Sequence, residues 1–247
     1  MLKTYGKKIF SYCLGMLLLA FGVTFSIKSN LGVSPINSIP YVLSLITEID
    51  QGLLTTIVFS IFILMQIVIL RKDFKIINLI QIIFSSAFGS FVTLSNNIWT
   101  FQAPTNYIMR LIILLVSMVL VALGLLFYLA ADIVPMPAEG VMLAIQSKTN
   151  KDFAKIKVLF DTTVVIIASL LSLLLLGKLI GIREGTLIAA IGIGKILGLL
   201  KRKYNSYIID FINNDTRIAD DTVSEDNSDN EDNIENEEDY WRELNYE

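Results

Sequence analysis

Histidine is absent from the 247 residues, and Cys13 is the only cysteine. The first absence removes the commonest metal ligand and the commonest general base near neutral pH. The second excludes an intrachain disulfide and any cysteine-based metal cluster. No cofactor and no metal site is expected, and the chain does not read as an enzyme. Chemistry inside it would need a pair of carboxylates, and Asp132 with Glu139 is the only close acidic pair available. Charge is also scarce: 17% of residues are Asp, Glu, Lys or Arg, against 54% apolar. Such a balance speaks against a nucleic-acid partner and for the lipid bilayer as the main one.

The formal charge of -3 conceals two unlike parts. Residues 1–203 hold 18 basic and 8 acidic side chains, whereas residues 204–247 hold 2 basic and 15 acidic. The second part is rich in Asp, Glu, Asn and Ser and cannot bury enough apolar surface to offset its ordering entropy. A mostly disordered acidic tail is therefore expected, solvated by default, with docking on the basic inner loops or on a cytoplasmic partner as the alternative.

Within residues 1–203, apolar runs cover 9–27, 53–70, 76–94, 108–131, 156–176 and 182–200. Roughly 18 or more apolar residues are what a helix needs to cross about 30 Å of hydrocarbon. The first run lacks a small-residue cleavage signature and reads as a retained span. Lys3, Lys7 and Lys8 place the N-terminus on the cytoplasmic side. Alternation then puts Arg71, Lys72 and Lys75, next Lys148, Lys151, Lys155 and Lys157, and finally Lys201, Arg202 and Lys203 on that same side. Six spans with both termini cytoplasmic follow, in a bacterial cell membrane.

Sliding the chain by 102 residues superposes the segment starting at Leu14 on the one starting at Val116. Met16 then meets Met118, Gly22 meets Gly124, Phe25 meets Phe127, Pro35 meets Pro137, and Asn30 meets Asp132. Each copy (about 9–95 and 108–200) holds three spans, so the second must enter from the opposite face. The expected fold class is an all-α membrane protein, a 3+3 inverted repeat. Inverted repeats recur in transporters, whose sites lie near the midplane where helices are broken.

Each copy carries such a break, followed by a stretch too short to span: NLGVSPINSIPYVLSLIT from Asn30 and DIVPMPAEGVMLAIQS from Asp132. Proline suits the first helical position, so Pro35 and Pro137 predict two short half-helices with converging N-termini. Candidate substrate-binding residues are Asn30, Ser34, Pro35, Asn37, Asp132, Pro137 and Glu139. The plainer reading makes Asn37 and Glu139 first-turn caps and Asp132 a solvated loop charge. The acidic positions also suit a coupling proton or Na+, which leaves the sign of the solute open.

Asp161 and Lys195 are the other ionisable residues inside apolar runs, and a shared depth suggests an ion pair. Lys157, one turn before Asp161, competes as its partner, and both residues could instead snorkel. Small residues at helical spacing, among them Gly22, Gly89, Gly124, Gly185 and Gly194, predict close helix packing. Homo-oligomerisation is left open.

The segment AFGVTFSIKSNLGVSPINSIPYVLS from Ala20 resembles the YczE/YyaS/YitT group of bacterial multi-pass membrane proteins. Asn30, Leu31, Gly32 and Pro35 match its N-L-G-x-x-P pattern, and KIKVLFD from Lys155 and GIREGTLIAAIGIG from Gly181 look like its second half. The chain departs from it at Ile36, where an aromatic is usual, and at Asn37, where an acid is common. The resemblance covers residues 9–200 and implies a multi-pass membrane fold without specifying a solute. The leading functional expectation is a permease-like carrier of a small solute. The alternative is a scaffold or biogenesis factor acting through its acidic tail.

Overall fold

A computed structural model describes residues 2–151, 153–204 and 207–208, with side chains from residue 6 onward except that of residue 154. The expected acidic tail therefore lies almost wholly outside the described residues. Among those described there is no strand. The helices are α1 (Leu2–Ser29), α2 (Pro35–Thr47), α3 (Gln51–Leu70), α4 (Ile80–Ile98), α5 (Tyr107–Ala131), α6 (Pro137–Thr149), α7 (Phe153–Leu176) and α8 (residues 184–204). Two short 3-10 turns, Arg71–Asp73 and Ile76–Leu79, join α3 to α4.

Among the described residues, five helical segments are long and apolar enough to cross a membrane: Gly6–Ser29, Gln51–Asp73, Ile76–Ile98, Tyr107–Ala131 and Lys155–Leu176. The sixth expected span corresponds to α8, which is helical as expected. Glu184, Lys195, Lys201, Arg202 and Lys203 give it more charged residues than any of those five. Outward-facing side chains are largely apolar, with Leu174 78%, Val68 70% and Leu187 70% exposed. Bare aliphatic surface of this kind suits lipid rather than water.

The element order recurs: a long helix, a break, a 13-residue helix that begins on proline, then two further helices. Pro35 and Pro137 each occupy the first turn, where a missing N–H costs no hydrogen bond. Asn30 and Asp132 end α1 and α5 with φ of 52° and 47°. Asn and Asp tolerate this left-handed geometry better than most residues, which gives their equivalence in the two copies a backbone reason.

Helices α1 and α5 cross antiparallel at the centre of the bundle. Ser11 Oγ donates to the Phe127 carbonyl at 2.9 Å, and Ser117 Oγ donates to the Gly22 carbonyl at 2.8 Å. Between these contacts a Cβ on Gly15 would lie 2.7 Å from the Gly124 carbonyl oxygen, so only glycine permits the approach. The 102-residue shift turns the pair Gly15–Gly124 into Ser117–Gly22, and both pairs are in contact. Helix α3 packs on α6 as α7 packs on α2. In the first of these contacts Gln66 meets Gly140 and the Pro137 carbonyl; in the second Ala168, the residue equivalent to Gln66, joins Val42 and Ile182.

Helices α3 and α4 also touch backbone to backbone: a Cβ on Gly52 would collide with the Gly89 carbonyl oxygen. Gly185 sits against the Leu31 carbonyl, and its N–H donates to that oxygen at 2.8 Å. Gly22, Gly89, Gly124 and Gly185 thus serve helix packing. Gly194 does not, since no atom would meet a Cβ there within 4 Å.

Candidate functional site

The first turns of α2 and α6 share one cavity of about 360 Å³. Ser34, Pro35, Ile36 and Asn37 wall it from one side, and Met136 and Glu139 from the other. Leu19 and Val23 of α1, Phe59 of α3, Phe88 of α4, and Val121 and Leu125 of α5 also line it, as do residues of α7 and α8. Phe59 and Phe88 come from the middle turns of α3 and α4, while Leu129 and Phe153 lie at the end of α5 and the start of α7, so the cavity runs from the middle of the bundle toward that end. Its walls are mainly apolar, with Phe59 and Phe88 stacked 5.8 Å apart at 6°. The polar groups gather where the two short helices and α7 meet.

Asn37 is 8% exposed; its Nδ2 donates to Ser34 Oγ at 3.0 Å, while its buried Oδ1 has no hydrogen-bond partner. Glu139 Oε2 accepts from the Met136 N–H at 3.0 Å and from Tyr128 Oη at 2.9 Å. The first bond is the cap expected of an acid three residues into a helix; the second ties the carboxylate to α5. Tyr12, 5.1 Å from the Tyr128 ring, donates its own Oη to the Val134 carbonyl at 3.1 Å. Glu139 thus places a carboxylate on the partial positive end of α6, which weakens that end as an anion site.

Lys157 and Asp161 also wall the cavity. Their ion pair, Nζ to Oδ2 at 3.0 Å, runs along one turn of α7. This corrects the suggested pairing of Asp161 with Lys195: the local (i, i+4) partner captures the carboxylate, and Lys195 is exposed on α8. Asp161 Oδ1 is buried without a hydrogen-bond partner. Asn37 and Asp161 thus each keep an unused acceptor, a condition that costs stability unless something supplies a donor.

Of the seven candidate binding residues, the cavity brings together Ser34, Pro35, Asn37 and Glu139, and Gly194 lies on the same wall. Pro137 sits just behind it, its carbonyl accepting Gln66 Nε2 at 3.1 Å. Asn30 and Asp132 are not on its wall; both are exposed at the ends of α1 and α5, and the Asn30 carbonyl accepts from Arg183 Nη1 at 3.0 Å.

Sequence reasoning missed Gln66 and Gln81. Each is 1% exposed, and they exchange amide hydrogen bonds of 2.9 Å and 3.3 Å beside the start of α6. Two glutamines inside apolar runs were the available signal, since polar groups in a membrane interior need partners. Among the described residues no three His, Cys, Asp or Glu side chains cluster as a metal site would require.

A bundle of apolar helices closed around a small, partly charged interior defines an α-helical integral membrane protein. The chain belongs to the family of unknown function DUF6198, whose family model matches residues 6–202. No curated protein and no solved structure matches it.

Proposed function

We propose that the chain is a permease-like carrier of a small solute, built as an inverted repeat of two three-span halves. One observation carries this reading: a single cavity that reaches the middle of the bundle is walled by the first turns of both proline-initiated short helices. Carriers place their sites where broken helices from two repeats meet. The antiparallel α1/α5 crossing supports the inversion, because its Gly15–Gly124 and Gly22–Ser117 contacts exchange under the repeat shift. The match at Asn30, Leu31, Gly32 and Pro35 supports kinship with the YczE/YyaS/YitT group as part of the same proposal. Cytoplasmic termini and a bacterial cell membrane rest on the basic clusters.

The scaffold alternative requires a closed interior. The two readings separate by labelling an Asn37→Cys variant in a Cys13→Ala background with a membrane-impermeant maleimide, in vesicles of both orientations. A carrier predicts modification from at least one side. Protection from both sides, with a loop cysteine labelled normally as control, contradicts the carrier.

A further inference from the structure

A second space adjoins the first. A cleft of about 710 Å³ lies between α7 and α8, and Pro35, Lys157, Asp161 and Ala190 line both it and the central cavity. Its remaining walls are mostly aliphatic, including Val158, Val165, Ile182, Leu187 and Ile191. Val158, Leu187 and Ile191 are 67%, 70% and 64% exposed, so the cleft opens through the face that meets lipid. The corresponding seam in the first half, α3 against α4, is shut by Gly52 on Gly89. The 102-residue shift places Ala154 and Ile191 at those positions. A branched side chain at 191 cannot reproduce the glycine contact that closes α3 on α4.

The polar end is rich in acceptors. Glu139, Asp161 and Lys157 line the central cavity; Lys157 offsets Asp161 in their ion pair, and Glu139 adds a further carboxyl group. Arg183, at the cleft, is already held by Glu184 at 3.2 Å and by the Asn30 carbonyl. On the cavity lining, the buried side-chain oxygens without partners, Asn37 Oδ1 and Asp161 Oδ1, are acceptors. They call for N–H donors and not for an anion.

Resting on the carrier reading, we infer that the solute is an amphiphile with a primary ammonium head and an aliphatic tail, which enters sideways from the bilayer between α7 and α8. The head lies by Asn37, Glu139 and Asp161, and the tail lies in the cleft. Both a free alkylamine and a lipid with an aminoethyl headgroup carry this chemistry.

Equilibrium binding of radiolabelled dodecylamine to the full chain in phosphatidylcholine nanodiscs tests it. The expected result is saturable binding that laurate and dodecyl sulfate fail to displace. Asp161→Asn, nearly isosteric, should weaken it by about tenfold, the worth of one charge-assisted contact. Ala190→Trp, at an exposed site between the two spaces, should weaken it by a similar factor. Competition by added phosphatidylethanolamine identifies a lipid source; its failure to compete identifies the free amine, and either outcome upholds ammonium recognition. Equal displacement by laurate, or unchanged binding in both variants, overturns the inference. If Asn37→Cys is labelled while dodecylamine does not bind, the carrier reading stands and the amphiphile falls.

Discussion

Asn37 and Gln66 are both buried amides inside an apolar bundle, yet their hydrogen bonds differ. Gln66 bonds to Gln81 in both directions and donates to the Pro137 carbonyl. Asn37 makes one side-chain bond and leaves Oδ1 without a partner. An unsatisfied buried polar atom costs about 1–3 kcal/mol, so its retention is easiest to understand if a solute completes it. Opposite responses to the same kind of substitution follow. Gln66→Leu should lower stability by about 1–3 kcal/mol because Gln81 loses its partner. Asn37→Leu should leave stability unchanged or raise it, because the orphaned acceptor goes with the side chain. Thermal unfolding of both variants in the same detergent checks this, and equal losses would remove the functional reading of Asn37. The Asn37 position was legible in the sequence from its equivalence with Glu139 under the repeat shift. Its partners were not, since Ser34 Oγ is reached only once the first turn of α2 has formed.

At the scale of helices, glycine has two roles here. Gly52 and Gly89 let α3 and α4 touch backbone to backbone, whereas Gly194 faces open space on the cavity wall. Gly52→Ala should therefore cost about 1–3 kcal/mol, the range for an overpacked contact. Gly194→Ala should cost nothing in stability and gain a little helix propensity. Relative unfolding temperatures decide it; a Gly194→Ala loss as large as that of Gly52→Ala would mean that α8 packs elsewhere. The spans themselves were legible because hydrocarbon thickness fixes helix length, and α1, α3, α5 and α7 fall within a few residues of their apolar runs, apart from an earlier start for α1. The break residues were legible through Pro35 and Pro137. What the sequence hid was which helices meet. Asp161 bonds to Lys157 rather than Lys195 because one turn of α7 is a shorter reach than the gap to α8, and no run of hydropathy reveals that gap.

For the molecule as a whole, two halves with the same order of elements enclose one cavity but do not close equally. The α3/α4 seam is sealed by glycines; the α7/α8 seam is open along its aliphatic walls. Such asymmetry is what a carrier caught in one of its states would show, with the halves exchanging roles as access alternates. The claim beneath every functional statement is narrower: the two breaks meet in the interior of the bundle. Pulsed electron spin resonance measures it directly, using spin labels at Ile36→Cys and Met136→Cys, both on the cavity wall, in a Cys13→Ala background within nanodiscs. The account predicts an inter-label distance well short of the ~30 Å hydrocarbon thickness. A distance equal to or greater than that thickness would place the two breaks at opposite membrane surfaces and contradict it.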